Sequence, residues 1–249
     1  MKELRGKTIW LIGATHGIGE ALTAQLVAKR MRVVASGRSA EKLQHMHEEY
    51  GDALLPVVCD VSDMDSIRDA YVNLRTAWGI PDIVMYNAGV YDPMPSTDFD
   101  LARVEQMIDV NVMGAIRVLH NVVEDMQASR GTIALVGSVA GYRGLPKAMG
   151  YGLSKAAIIH LAENLRQDAG KDGLRVQLIN PGFVKTRLTE KNDFAMPCCI
   201  TAQQAAKYIV RGLEKGTFEI HFPKRFTLFL KLLQLMPARL YFWLCDKIL

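Results

Sequence analysis

Four cysteines, Cys59, Cys198, Cys199 and Cys245, are scattered along the chain, with no CxxC pair and no grouping with histidine at metal-ligand spacing. That scarcity excludes a disulfide framework and a zinc site, and reduced thiols in a cytoplasmic setting are the expectation. No uninterrupted apolar run reaches the roughly 20 residues that a membrane span requires. The amino terminus, MKELRGKTIWLIGATHG, runs directly into a strand-and-glycine pattern and leaves no room for a secretion signal. Internal repeats and low-complexity linkers are missing as well, and 249 residues fit one large domain. Charge of one sign is also scarce. The net charge is only +4, and residues 1–220 carry as many acidic as basic side chains, so the whole excess lies in the tail from His221 onward. A neutral body lacks the basic face that neutralises phosphates, and this excludes a nucleic-acid partner.

Short apolar runs alternate with helical stretches through most of the chain. The runs KTIWLI, RVVAS, ALLPVV, DIVMY, GTIALVG, RVQLI and FEIHF are separated by helical patterns over 18–30, 40–50, 63–78, about 99–128, 151–169 and 201–215. The runs are apolar on both faces, as strands of a parallel sheet covered on both sides must be. The pattern predicts a doubly wound α/β domain of Rossmann type, with a seven-stranded, mainly parallel sheet over residues 1–222 and apolar helices over 223–249. The long unassigned segments, about 138–150 and 181–200, follow strands, where ligands sit in such sheets.

After the first strand comes GATHGIG, in which Gly13, Gly17 and Gly19 surround Thr15, His16 and Ile18. Glycines here permit a tight turn and close approach of backbone to a pyrophosphate, whose charge meets the unpaired N–H groups of the helix that follows. The second strand ends in RVVASGRS, so Gly37 and Arg38 stand where a carboxylate would hold the ribose of NAD. A guanidinium pairs instead with a 2′-phosphate, which points to NADP(H) in preference to NAD(H), with Ser36, Ser39 and His16 as secondary donors. Asp60, beside Val61, either accepts from the adenine amino group or caps the helix of SDMDSI. Asn87, Ala88 and Gly89, after the fourth strand, stand beside the cofactor. In YGLSK, four-residue helical spacing stacks Tyr151 and Lys155 on one face.

These pieces, in this order, resemble the short-chain dehydrogenase/reductase family over about residues 5 to 222: GATHGIG, NAG at 87–89, NVMG at 111–114, a serine after the fifth strand, YGLSK, and PGFVKT at 181–186. The resemblance implies that Asn111 holds a water in a proton relay, that Ser138 hydrogen-bonds the substrate oxygen, and that Tyr151 is the acid/base with Lys155 as partner. It also implies that Pro181, Gly182, Val184 and Thr186 cover the nicotinamide. The substrate is then a small carbonyl compound or the corresponding alcohol. Lys155 and the oxidised nicotinamide are expected to draw the phenol towards neutrality. Ile12 departs from the family, which commonly has threonine there, and the loss of a turn-bracing hydrogen bond worth roughly 1 kcal/mol puts the rigidity of the turn in question.

The tail, PKRFTLFLKLLQLMPARLYFWLCDKIL, shows a polar stripe of Lys224, Thr227, Lys231 and Gln234 opposite Phe226, Phe229, Leu230 and Leu233, with a break at Pro237. It fits an interfacial membrane helix, a subunit interface in a homodimer or homotetramer, or a cover over the substrate cleft. Beside a reductase of lipophilic carbonyls, two readings stay open: a reductase of acyl thioesters or polar metabolites, and a sensor or scaffold that binds NADPH without turnover.

Overall fold

The computed structural model describes residues 3–248, without the side chains of Asp246 and Ile248; Met1, Lys2 and Leu249, at the outer limits of the two expected segments, lie outside the described residues. In strand β1 (Thr8–Ile12) every residue is buried. Ile9 and Leu11 point into one apolar cluster and Trp10 and Ile12 into another. Alternation along a strand sends neighbours to opposite faces, so a strand buried on both sides must be apolar throughout. The first cluster is closed by α1 (Gly17–Ala28), α2 (Ala40–Tyr50) and α7 (Ala202–Lys215); the second by α3 (Met64–Trp78), α5 (Gly114–Ala128) and α6 (Met149–Ala169). Each fully buried large side chain contributes about 1.5–3 kcal/mol.

With β2 (Arg32–Gly37), β3 (Leu54–Val58), β4 (Ile83–Tyr86), β5 (Thr132–Val136), β6 (Arg175–Pro181) and β9 (Glu219–Phe222), β1 forms a seven-stranded sheet in the order β3-β2-β1-β4-β5-β6-β9. Every pairing is parallel, so the sheet is wholly rather than mainly parallel. The winding reverses between β1 and β4, and the crevice above their carboxyl ends is where a ligand binds in this architecture.

Two segments depart from the sequence reading. The helix expected over about 99–128 is broken into α4 (Leu101–Ile108), a π-helical turn (Asp109–Met113) and α5. Within the loop expected over 181–200, β7 (Val184–Lys185) pairs with β8 (Ile200–Thr201), and Thr201 then caps α7 by a reciprocal bond pair with Gln204.

The tail forms α8 (Lys224–Gln234) and α9 (Ala238–Ile248), and its polar stripe lies opposite to a solvated face. Thr227 is fully buried and pairs with His221 Nδ1 at 2.6 Å; Lys224 Nζ donates to His221 Nε2, and Lys231 pairs with Glu219. Glu219 also accepts from Tyr142 and Asn180. The acid and histidine of β9 therefore draw the middle of the stripe, Thr227 and Lys231, inward, while Lys224 and Gln234 at its ends are exposed. Phe229, among the residues expected opposite it, is exposed, together with Leu228, Leu232 and Leu235.

Candidate active site

The glycine turn is built by close backbone approach. Gly13 has φ of +88°, and a side chain there would meet Ala88 N at 2.6 Å. The Gly13 and Ala14 amides donate to Ser36 O, and Asn87 Nδ2 donates to Gly13 O at 2.8 Å. These bonds brace the turn without the hydroxyl that Ile12 lacks. His16 occupies the N-cap of α1 with no side-chain capping bond, so the first-turn N–H groups face the crevice uncapped by a side chain, as an anion site requires. Ile18 packs on the core, and Thr186 comes down over Gly17. A diphosphate fits this cradle of small residues and free amides.

Arg38 is exposed at the end of β2 and forms no ion pair among the described residues. Its guanidinium is free for a phosphate. One of its expected helpers is not: Ser36 is buried and accepts from the Trp10 indole at 2.9 Å, whereas Ser39 caps α2 by accepting from the Lys42 amide and keeps its O–H to donate. Lys42, absent from the sequence reading, reaches this end of the crevice from α2. Its Nζ donates to His16 Nε2 at 2.7 Å, so Nδ1 carries the proton toward Thr15 Oγ1. Burial and then the Lys42 charge push the His16 pKa down. The only advance sign of Lys42 was a base four residues after Arg38 on a helix.

Asp60 braces its own turn, accepting from the Ser62 amide at 2.9 Å, while Asp63 caps α3. Between the two readings of Asp60, the helix-capping role thus falls to Asp63. Val61 buries its side chain, and its carbonyl accepts from Arg117. Gly89 abuts both Asn111 and Lys155: a side chain there would lie 3.3 Å from Asn111 Oδ1 and 3.6 Å from Lys155 Nζ.

Tyr151 and Lys155 lie one turn apart on α6, as the spacing requires. Ser138 opens a short 3-10 turn, Val139–Gly141, that rests directly on α6, where a side chain on Gly141 would come within 2.6 Å of the Lys155 carbonyl carbon. This bare contact lowers the serine onto the helix face bearing the pair, and the Ser138 hydroxyl accepts from the Ala140 amide at 3.1 Å. Lys155 is 5% exposed and donates to Val136 O at 2.8 Å. Asn111, in the π-helical turn, is fully buried; its side chain donates to Val90 O and Ser154 Oγ and accepts from the Val90 amide. With the amide thus engaged, Asn111 fixes the 89–90 segment against α6.

Burial pushes the Tyr151 phenol up to about 12, with the Ser138 hydroxyl opposing and Tyr91 reinforcing it. Burial pulls the Lys155 ammonium down to about 8. Lys155 Nζ stands 5.6 Å from the Tyr151 ring centre and spends its hydrogen bond on Val136, so the expected pull towards neutrality is not imposed by the protein alone. The sequence reading also missed Tyr91, which meets Tyr151 edge-on at 4.8 Å and donates to Asn192 at 2.6 Å.

Pro181 ends β6 beside Phe222, the Gly182 amide donates to Phe222 O, and Val184 is buried in the core. Phe183 then meets Phe194 at 5.9 Å and Phe226 of α8 at 5.6 Å. Arg143 donates to the carbonyls of Leu233, Gln234 and Met236 and lies over the Tyr241 ring at 4.2 Å. The tail is therefore tied to the segment following Ser138 and to the one following β6.

The family model for short chain dehydrogenases matches residues 7–196. An uncharacterized oxidoreductase of Myxococcus xanthus is 34% identical over 245 residues, covering 97% of each chain, so the match extends into the C-terminal helices. A serine dehydrogenase solved in complex with NADP+ superposes with a TM-score of 0.81 at 26% identity, covering 86% of this chain and 94% of that one. A Burkholderia phymatum short-chain dehydrogenase/reductase solved with NAD shares the fold at 21% identity and a TM-score of 0.85, with 93% and 94% covered.

Proposed function

The chain belongs to the short-chain dehydrogenase/reductase family and is an NAD(P)-dependent oxidoreductase; on that premise we propose that it is an NADP(H)-dependent reductase of lipophilic carbonyl compounds, working through Tyr151. The observation that carries the reading is the convergence of Ser138, Tyr151 and Lys155 where the 3-10 turn rests on α6. When bound, the nicotinamide supplies hydride chemistry; the protein supplies orientation and protons. Ser138 donates to the carbonyl oxygen and stabilises the charge that develops there. Tyr151, protonated at neutral pH as phenols are and held the more firmly so by burial, delivers its proton to the same oxygen. Lys155, charged and with one hydrogen bond among the described residues, has N–H groups left to hold ribose hydroxyls. Arg38, exposed at the end of β2 and without an ion pair among the described residues, favours the 2′-phosphate.

One observation supports a lipophilic substrate: the carboxyl end of β6, next to the strand that precedes Ser138, carries the aromatic group of Phe183, Phe194 and Phe226. Of the cations in the flanking loops, Arg143 is committed to helix carbonyls, Lys147 to Asp193 and Lys191 to Asp92, whereas Lys185 and Arg187 are exposed and form no ion pair among the described residues. A cation for the carboxylate of a hydroxy amino acid is therefore at hand, and with the serine dehydrogenase among the similar structures this makes that substrate the second reading.

The test is a panel of long-chain and aromatic ketones and aldehydes with NADPH or NADH, beside L-serine with NADP+ or NAD+. The account expects NADPH oxidation with the apolar carbonyls and no NADP+ or NAD+ reduction of comparable rate with serine. Serine as the preferred substrate would replace the first reading with the second, and tight NADPH binding without turnover on any compound would favour the sensor.

A further inference from the structure

The outward side of the two C-terminal helices has no cover. Leu228, Phe229, Leu232 and Leu235 of α8 are 50–84% exposed, and Leu240, Phe242 and Trp243 of α9 are 45–58% exposed. In a water-soluble surface such a cluster marks a contact site. Both helices sit on one seat: Leu230, Leu233 and Tyr241 share a small cavity with Val139 and Leu145, and Tyr241 donates to Gly144 O at 2.6 Å. Their exposed apolar residues therefore project away from a common base.

The rim of this surface says what covers it. The tail carries Lys224, Arg225, Lys231, Arg239 and Lys247 against Asp246 alone, and this excess is the whole net charge of the chain. Lys231 is spent inward on Glu219, whereas Arg225, Arg239 and Lys247 are exposed, with Lys247 over the Trp243 ring. An apolar, aromatic face with an uncompensated basic rim complements a surface that is apolar beneath and anionic above. Each helix has 11 residues, about 16 Å at 1.5 Å per residue, and no described helix is long and apolar enough to cross a membrane. A helix with aromatic and leucine side chains on one side and basic residues at its rim lies in the interface plane.

We propose that α8 and α9 dock the protein on a bilayer containing anionic lipid, with Leu232, Leu235, Phe242 and Trp243 in the headgroup boundary and Arg225, Arg239 and Lys247 against the phosphates. The inward middle of the polar stripe is then the device that turns the apolar face out: His221 and Glu219 hold Thr227 and Lys231, and Arg143 holds the last carbonyls of α8. Docked this way, α8 and α9 lie between the lipid and residues 139–145 beside Ser138.

Flotation of the full-length protein with phosphatidylcholine vesicles, with and without phosphatidylglycerol, tests the proposal without reference to turnover. Wild type is expected to float with the mixed vesicles, less with phosphatidylcholine alone, and less at high salt. Replacing Arg225, Arg239 and Lys247 together by glutamine should weaken binding to mixed vesicles by about a hundredfold, from roughly fivefold per basic residue. Leu232→Ser with Leu235→Ser should abolish flotation while NADPH binding is retained. Failure of wild type to float with either vesicle would overturn the proposal, as would equal binding to both. So would a dimer in sedimentation that dissociates in the double serine variant without lipid binding, which would assign the face to a second copy.

Discussion

Lys155 and Tyr151 show how a pair readable from spacing acquires its chemistry from surroundings that spacing does not reveal. The four-residue interval on α6 puts them on one face, but it is burial that raises the phenol to about 12 and lowers the ammonium to about 8. A phenol held protonated suits donation to a nascent alkoxide. At the other end of the cofactor cleft, Arg38 was legible because it stands where an acidic residue is otherwise expected, whereas Lys42 reaches His16 only through the packing of α2 against the glycine turn. Ser36 and Ser39 read as donors because hydroxyls beside an arginine look available. Neither Trp10 Nε1 nor the Lys42 amide, which donate to them, could be paired with them before folding. Arg38→Ser should raise KM for NADPH by about 10- to 100-fold, the worth of a charge-assisted hydrogen bond, and leave KM for NADH nearly unchanged. Initial rates with each coenzyme decide it.

The strands were readable as elements because both faces of each are buried, which leaves an uninterrupted apolar run. The π-helical turn at 109–113 carries no such sign. Its apolar periodicity continues that of α4 and α5, and it becomes visible only when Asn111 is seen bonded to both Val90 and Ser154. Helix α8 was legible only as far as its two faces, because amphipathicity does not say which one meets the protein; the buried acid and histidine of β9 draw in Thr227 and Lys231, and Phe226, Leu230 and Leu233 pack beside them. That seat has a pH signature. Burial, then the charges of Lys231 and Lys224, lower His221 from 6.5 to about 4, with Glu219 opposing. The unfolded chain therefore binds more protons between pH 4 and 6.5, and stability rises with pH across that window and is lost as pH falls. The gain amounts to about 3 kcal/mol at most. Urea melts at pH 4.5 and 7 should show His221→Gln losing most of this difference relative to wild type.

At the scale of the molecule, the sheet reverses its winding between β1 and β4, and the glycine turn, Arg38, Asn87 and Gly89 lie on the carboxyl side of that point. The cofactor end was therefore legible almost throughout, since its residues follow directly from strand ends. The substrate end was not, because it is assembled from segments far apart in the chain: Tyr91 with Asn192, Phe183 with Phe226, Arg143 with the end of α8. The account places the proton on Tyr151, the oxyanion on Ser138 and the coenzyme phosphate on Arg38, with the C-terminal helices standing over the loops between them. Its central claim is that the Tyr151 hydroxyl delivers the proton. Single-turnover oxidation of bound NADPH by an apolar ketone tests this most directly, with wild type compared with Tyr151→Phe. The account predicts unchanged NADPH binding and a rate lowered by about a hundred- to ten-thousandfold. A Tyr151→Phe enzyme that turns over at the wild-type rate would contradict it.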